Sequence, residues 1–232
     1  MSATEDRTET WTRQAQRIAN AFGVVLLLVL ATYATTSLTR YSGWSAVVVS
    51  VLGSLTTVIA LASSGVRDSL VRVGGGLAIA SVTFAVIAAL ADRNGLLATS
   101  GLLQILLFTW AAAAVLRAVL AESEVGFKTI LGAISVYLIF GLLFTSLYVV
   151  IDKLQAGSFF EPARELQTGD YVFFSFTTLT TTGYGNLVPG GQPGKMFSVL
   201  EMLVGQIFLV TLIAGLVSVW RPGRRVRGDR TE

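Results

Sequence analysis

The sequence predicts an all-α integral membrane fold: six transmembrane helices plus a re-entrant half-helix that ends in a Thr/Gly loop. Three observations carry this expectation. The composition is 53% hydrophobic and only 13% charged, against the ~25% charge of ordinary soluble domains. The few charges leave uncharged runs at Ile18–Thr39, Tyr41–Val66, Val73–Ala91, Asn94–Leu116, Thr129–Ile151 and Met202–Trp220. Each is about as long as the ~20 residues a helix needs to cross a ~30 Å hydrocarbon core. Between the last two runs lies Thr180-Thr181-Thr182-Gly183-Tyr184-Gly185-Asn186-Leu187. Hydrocarbon tolerates such irregular backbone only where it is buried or lines a polar path.

In chain order, residues 1–17 are mostly polar and lack a small-residue cleavage site. They are read as a cytoplasmic segment ahead of an anchor, not as a signal peptide. Four helices are expected at about 18–38, 44–64, 72–91 and 96–120, joined by Arg40-Tyr41-Ser42-Gly43, Ser63-Ser64-Gly65 and Asp92-Arg93-Asn94-Gly95, all turn-forming residues. The polar stretch Ala121-Glu122-Ser123-Glu124-Val125-Gly126 divides this four-helix module, 18–120, from a second module at 121–220. There an outer helix at 127–151 precedes a polar segment and then Tyr171 to Thr180, apolar but half a membrane thick at ~1.5 Å per residue. Asp170 is read as its N-cap. Pro189, Gly190, Gly191 and Pro193 argue against helix there, so the half-helix dips in and returns before an inner helix at 195–220. Residues 221–232 form a basic tail, too short for a ligand-binding fold.

Composition also excludes chemistry. The chain has no cysteine and no histidine, so disulfides, thiolate metal sites and imidazole catalysis are ruled out. No span carries a paired acid/base set, and an enzyme is not expected. With the N-terminus inside, twelve of the 17 Lys and Arg residues fall on inner segments. That is the positive-inside pattern for six helices with both termini cytoplasmic in a cell membrane.

The Thr/Gly loop suits a dehydrated cation, which needs a cage of oxygens in place of its water. Successive carbonyls can be aimed to one side when alternate residues adopt left-handed dihedrals, and Gly183 and Gly185 are placed for that. Thr181 can add its hydroxyl. The half-helix ends just before the loop, so its partially negative C-terminus points into the membrane and favours a cation.

At these residues the chain resembles the potassium-channel pore-loop family, over roughly Gly126 to Trp220. Thr181-Thr182-Gly183-Tyr184-Gly185 is similar to the family's T-V-G-Y-G filter. The resemblance implies K⁺ sites built from the carbonyls of Thr181, Thr182, Gly183 and Tyr184 with the Thr181 hydroxyl. It also implies a homotetramer, because four loops must ring one axis. Phe173-Phe174 stand where several relatives have a tryptophan pair, an aromatic cuff around the filter tyrosine. Thr182 replaces the usual valine, Asn186 a common aspartate, and Thr177 a glutamate of some bacterial channels, so the usual acid pair bracing the filter is absent.

Further residues are singled out with two readings each. Glu201, the one acid inside a span, either hydrogen-bonds behind the filter to Thr177 or Thr178, or is a wetted carboxylate near the outer interface. Gly205 is either a gating hinge or a close-packing site, and Gly74-Gly75-Gly76 is read as close packing. The tail arginines Arg221, Arg224, Arg225, Arg227 and Arg230 either bind anionic lipid or merely hold the end inside. The fourth helix has no arginine before Arg117, where a voltage sensor needs one about every third residue. The expected function is passive K⁺ conduction by a homotetramer without such a sensor and without a cofactor, K⁺ being the permeant ion. A weakly selective cation channel and a non-conducting sensor or accessory subunit stand as alternatives.

Overall fold

The computed structural model describes residues 22–38, 43–91, 94–121, 126–161 and 166–219. The segment 1–17, the first turn expected at 18–21, Arg40, Arg93, Arg164 and the tail with Arg221, Arg224, Arg225, Arg227 and Arg230 lie outside the described residues. Among the described residues seven helices follow in order: α1 Phe22–Leu38, α2 Gly43–Ser63, α3 Asp68–Ala91, α4 Asn94–Ala121, α5 Phe127–Leu154, α6 Thr168–Leu179 and α7 Gln192–Val219. Among the described residues, α2, α3, α4, α5 and α7 are long and apolar enough to cross a membrane, while the described part of α1 is shorter. Two short strands, β1 Phe160–Glu161 and β2 Val188–Pro189, pair antiparallel. The fold is an all-α membrane bundle, and this ladder is the one strand pairing among the described residues.

Many threonines inside these helices are satisfied locally. Thr32 Oγ1 donates to the Leu28 carbonyl at 2.8 Å, Thr56 Oγ1 to Leu52 at 2.8 Å and Thr145 Oγ1 to Gly141 at 2.7 Å. Back-bonding to the carbonyl four residues earlier lets a threonine sit in hydrocarbon without an orphaned donor.

Several expected boundaries move. Helix α3 starts four residues before the expected 72, with Asp68 in its first turn, where an acid complements the helix dipole. Helix α5 runs three residues past 151, carrying Lys153 in its last turn, the complementary arrangement. Pro193 lies within the first turn of α7 rather than before it. A first-turn N–H has no intrahelical acceptor, so proline loses nothing there.

One core joins the two halves of the chain. Phe22, Val25 and Val29 of α1 pack with Phe108, Ala111, Val115 and Val119 of α4 and with Val136, Ile139 and Leu142 of α5. Thus the four-helix module rests on the outer helix of its own chain. Close approach replaces hydrophobic drive between membrane helices, and small residues permit it. A Cβ on Gly101 of α4 would strike the Val150 side chain of α5. In the glycine triplet of α3 only Gly74 packs this way, against Leu61; Gly75 and Gly76 face open space.

A second, aromatic cluster of Phe144, Tyr148, Phe159, Phe160, Tyr171 and Phe174 with Leu187 holds the filter end of α5, β1 and α6 together. The Phe160↔Pro189 and Glu161↔Val188 pairing ties that cluster to the chain leaving the Thr/Gly loop.

Candidate functional site

Helix α6 begins three residues earlier than expected, and its N-cap is Gln167, not Asp170. Asp170 sits at the third helical position, and its carboxylate accepts the Gln167 N–H at 2.8 Å, the reach-back half of a capping box. At 12 residues the helix is ~18 Å long, about half a bilayer.

Its end generates the loop. Thr181 N–H donates to the Thr178 carbonyl at 2.9 Å, and Thr182 N–H to the Thr177 carbonyl at 2.8 Å. This pair of bonds is a Schellman motif, which requires a left-handed residue just past the helix. That residue is Thr181, at φ +57°, although β-branched residues rarely adopt such a φ. Gly183 N–H also donates to Thr177, at 3.1 Å, and Gly183 and Gly185 follow at φ +51° and +77°. Left-handed residues therefore alternate at 181, 183 and 185, the pattern that turns successive carbonyls to one side. The first amides are consumed by the helix end. Among the described residues, no hydrogen bond is donated to the carbonyls of Thr181, Thr182, Gly183 or Tyr184.

The loop is clamped at both ends and offered outward between them. Leu179 and Leu187 are buried, whereas every residue from Thr180 to Asn186 is exposed on the single chain. The Thr182 hydroxyl turns back to the Thr180 hydroxyl at 2.9 Å. Thr177 Oγ1 is engaged with the Phe174 carbonyl at 3.0 Å. The aromatic pair divides: Phe173 stacks on Tyr184 at 5.6 Å and 19°, while Phe174 packs edge-on to Tyr148 and Phe160 at 5.0 Å each. Adjacent residues on a helix point ~100° apart, so only one of the two can reach the loop.

Glu201 is fully buried, which excludes the wetted reading. Its partners are not Thr177 or Thr178. Tyr148 Oη donates to Oε2 at 2.6 Å, and Ser175 Oγ lies 2.6 Å from Oε1. Ser175 Oγ is also 2.7 Å from the Gly141 carbonyl. The reason is register. Helices α6 and α7 run in the same direction, and Gly205 sits on the Leu179 carbonyl. One turn earlier on both helices, Glu201 therefore meets Ser175. Thr177 faces the opposite side of α6, and Thr178 lies nearer the loop. Sequence reading missed Tyr148, Ser175 and Gly141; each stands among other hydroxyl residues or glycines of its helix, and no sequence signal singled it out.

At Gly205 the geometry favours close packing over a hinge. A Cβ there would fall on the Leu179 carbonyl oxygen and touch the Leu179 side chain, and α7 continues unbroken through the position. Tyr137 Oη donates to the same carbonyl at 3.3 Å. Gly205→Val is expected to force α7 off the half-helix, a strain of about 1–3 kcal/mol or more. Thermal unfolding in detergent should shift down by several degrees, with loss of ion flux in liposomes. A hinge role predicts normal stability with an altered open probability instead.

Residues 132–221 match the family model described as "Ion channel", nearly the stretch over which the loop's resemblance extends. A 60-residue stretch is 32% identical to the voltage-gated delayed rectifier potassium channel KCNH5 of Homo sapiens, covering 26% of this chain and 6% of that protein. TWiK family of potassium channels protein 9 of Caenorhabditis elegans is 36% identical over 55 residues, 24% of this chain and 10% of its own length. Two-pore potassium channel 3 of Arabidopsis thaliana is 39% identical over 49 residues, 21% of this chain and 11% of its own length. The chain thus spans about a tenth or less of the curated relatives it matches.

Proposed function

Because the chain carries in residues 132–221 the pore-type domain of the ion-channel family, we propose that four copies ring one axis and conduct K⁺ passively through Thr181 to Gly185. The protein is a multi-pass membrane protein of a channel family and not an enzyme. The observation that carries the finer reading is the loop backbone. Alternating left-handed residues at 181, 183 and 185, with amides tied back to α6, leave four successive carbonyls without a protein donor. A tetramer supplies what one chain lacks. Each copy contributes one wall, and the exposed loop and the exposed apolar residues Leu203, Ile207 and Val210 of α7 are covered by neighbours or lipid. The relatives' names supply the ion by analogy, and the Thr182 hydroxyl held by Thr180 keeps that side chain out of the conducting path.

In this reading both termini are cytoplasmic, and the four-helix module is not a voltage sensor. The single charged residue of α4 is Arg117, exposed at the end far from the loop. Moving one charge through 100 mV supplies only ~2.3 kcal/mol, and α4 has no ladder of charges to move. A planar-bilayer recording of purified protein tests both points. K⁺/Na⁺ exchange should shift the reversal potential toward that of K⁺. Open probability should change less than about threefold over 100 mV, against the steep dependence that several gating charges produce. A reversal potential unmoved by the exchange favours the weakly selective channel, for which Asn186 at the outer mouth is the motivating residue.

A further inference from the structure

Helix α7 carries a polar side chain that neither the bundle nor the filter uses. From Met202 to Gly215 its polar residues are Gln206 and Thr211 alone. Thr211 Oγ1 donates to the Ile207 carbonyl at 2.7 Å. Gln206 is exposed on the single chain and, among the described residues, makes no side-chain hydrogen bond. It stands near the midpoint of the 28-residue helix, inside a stretch apolar enough to cross a membrane. A carboxamide in hydrocarbon gives up its water hydrogen bonds for nothing, so this one faces water or another chain. Its position selects between them. Gly205 rests on the carbonyl of Leu179, the last residue of α6. The next residue of α7 therefore lies level with the inner end of the Thr/Gly loop. Around the helix, Glu201 marks the side facing α6, at 2.6 Å from Ser175. Phe208 marks the side facing α5, stacked on Tyr137 at 5.9 Å and edge-on to Phe140 at 5.6 Å. At ~100° per residue, Gln206 lies ~140° from Glu201 and ~160° from Phe208. It looks away from the outer helix, toward the side where four loops would meet.

We propose that, in the channel reading on which this rests, the four Gln206 side chains ring the ion path just inside the filter and accept hydrogen bonds from the cation arriving there. The ring favours cations that carry hydrogens on their surface, a hydrated metal ion or a primary ammonium, over alkylated ones. A hydrated cation turns its water oxygens inward and its hydrogens outward, so its surface calls for acceptors. A primary ammonium does the same with three N–H donors. The carboxamide oxygen is such an acceptor, and the ion's field orients the side-chain dipole toward it. An apolar collar at this level would make the ion shed water before the Thr181 oxygens could replace it. The ring is also neutral. It does not hold the ion as a carboxylate would, and conduction needs binding weak enough to release.

Two measurements on the full chain in liposomes test this. The chain has no cysteine, so Gln206→Cys carries the sole thiol, and its reaction with a cationic methanethiosulfonate can be followed by mass. The control is Ile79→Cys, on the exposed apolar face of α3. Thiolate chemistry needs water, so Gln206→Cys should react at least about tenfold faster than the control. In the second measurement, hexylammonium applied from the cytoplasmic side should block K⁺ current at about fivefold lower concentration than hexyltrimethylammonium, the worth of about one hydrogen bond. Gln206→Leu, which removes an exposed amide from the span, should reverse that order while current persists. Equal reactivity of the two thiols, or an unchanged preference for the primary ammonium in Gln206→Leu, overturns the ring. Labelling needs no current, so the two readings fail separately. Slow labelling with K⁺ flux overturns the ring alone; fast labelling without flux overturns the channel reading, and the ring with it.

Discussion

Gly183→Ala is expected to abolish ion flux while leaving the chain folded. At φ +51° an alanine Cβ crowds the following carbonyl, and the left-handed conformation costs an L-residue about 1–2 kcal/mol. In the proposed ring of four loops the penalty applies four times, roughly 4–8 kcal/mol, or about three to six decades in the population of the aligned state. The alternative is to rotate the peptide, which turns a carbonyl away from the path. Gly157→Ala is the matched control. It sits at φ +97° in an exposed turn after α5, so it carries comparable local strain away from the loop. Rubidium uptake into liposomes should vanish for the first variant and persist for the second. Selective flux at the wild-type level through Gly183→Ala would remove the loop from the conduction path.

The contrast between these two glycines shows what a sequence can and cannot disclose. Gly183 and Gly185 were legible because a residue type with one special property recurs at a two-residue spacing. The uncharged runs were legible for the same reason, since bilayer thickness converts directly into chain length. Thr181 was not. Its left-handed backbone is imposed by the Schellman ending of α6, and nothing in a β-branched residue announces that conformation. Helix-capping rules ask for glycine there. A threonine instead supplies a hydroxyl at the first position of the loop, and the strain is held in place by two hydrogen bonds to Thr177 and Thr178. Asp170 was legible as a helix-start residue and misplaced by three positions, because a capping-box acid and an N-cap acid share the same composition signal.

Packing across modules was illegible for a different reason. The polar stretch after Ala121 marks a break in hydrophobicity, not a break in the core. Val136 and Ile139 of α5 pack against Phe108 and Val115 of α4, and only three-dimensional register can say so. The same holds for Glu201. Sequence placed it within a turn of Gly205 on an inner helix, and that spacing was correct. Its partner depends on where α6 lies beside α7, which Gly205 sets by resting on the Leu179 carbonyl. A close-packing glycine and a bracing acid are thus one device, and the register of the first selects the partner of the second.

That device yields the second large effect. Glu201→Leu is expected to destabilise the site by roughly 1–3 kcal/mol per chain, because it takes the carboxyl acceptor from a buried hydroxyl. Ser175 keeps an acceptor in the Gly141 carbonyl at 2.7 Å, whereas Tyr148, fully buried, loses the carboxyl oxygen at 2.6 Å and is left with the Ser198 hydroxyl alone. The unfolding temperature in detergent should drop, and current through reconstituted protein should decay faster under sustained recording as the half-helix loosens. Glu201→Gln should stay close to wild type. Its carbonyl can accept from Tyr148, and its amide can donate to Ser175, which then donates to Gly141. Removing both polar partners separates a hydrogen-bonded brace from mere space filling. In Glu201→Leu with Tyr148→Phe no hydroxyl is stranded, and the pair should recover a good part of the lost stability. If the double variant instead loses the sum of the two single effects, the carboxyl does not act through Tyr148. The half-helix is then held by Gly205, Gly141 and the aromatic cluster alone.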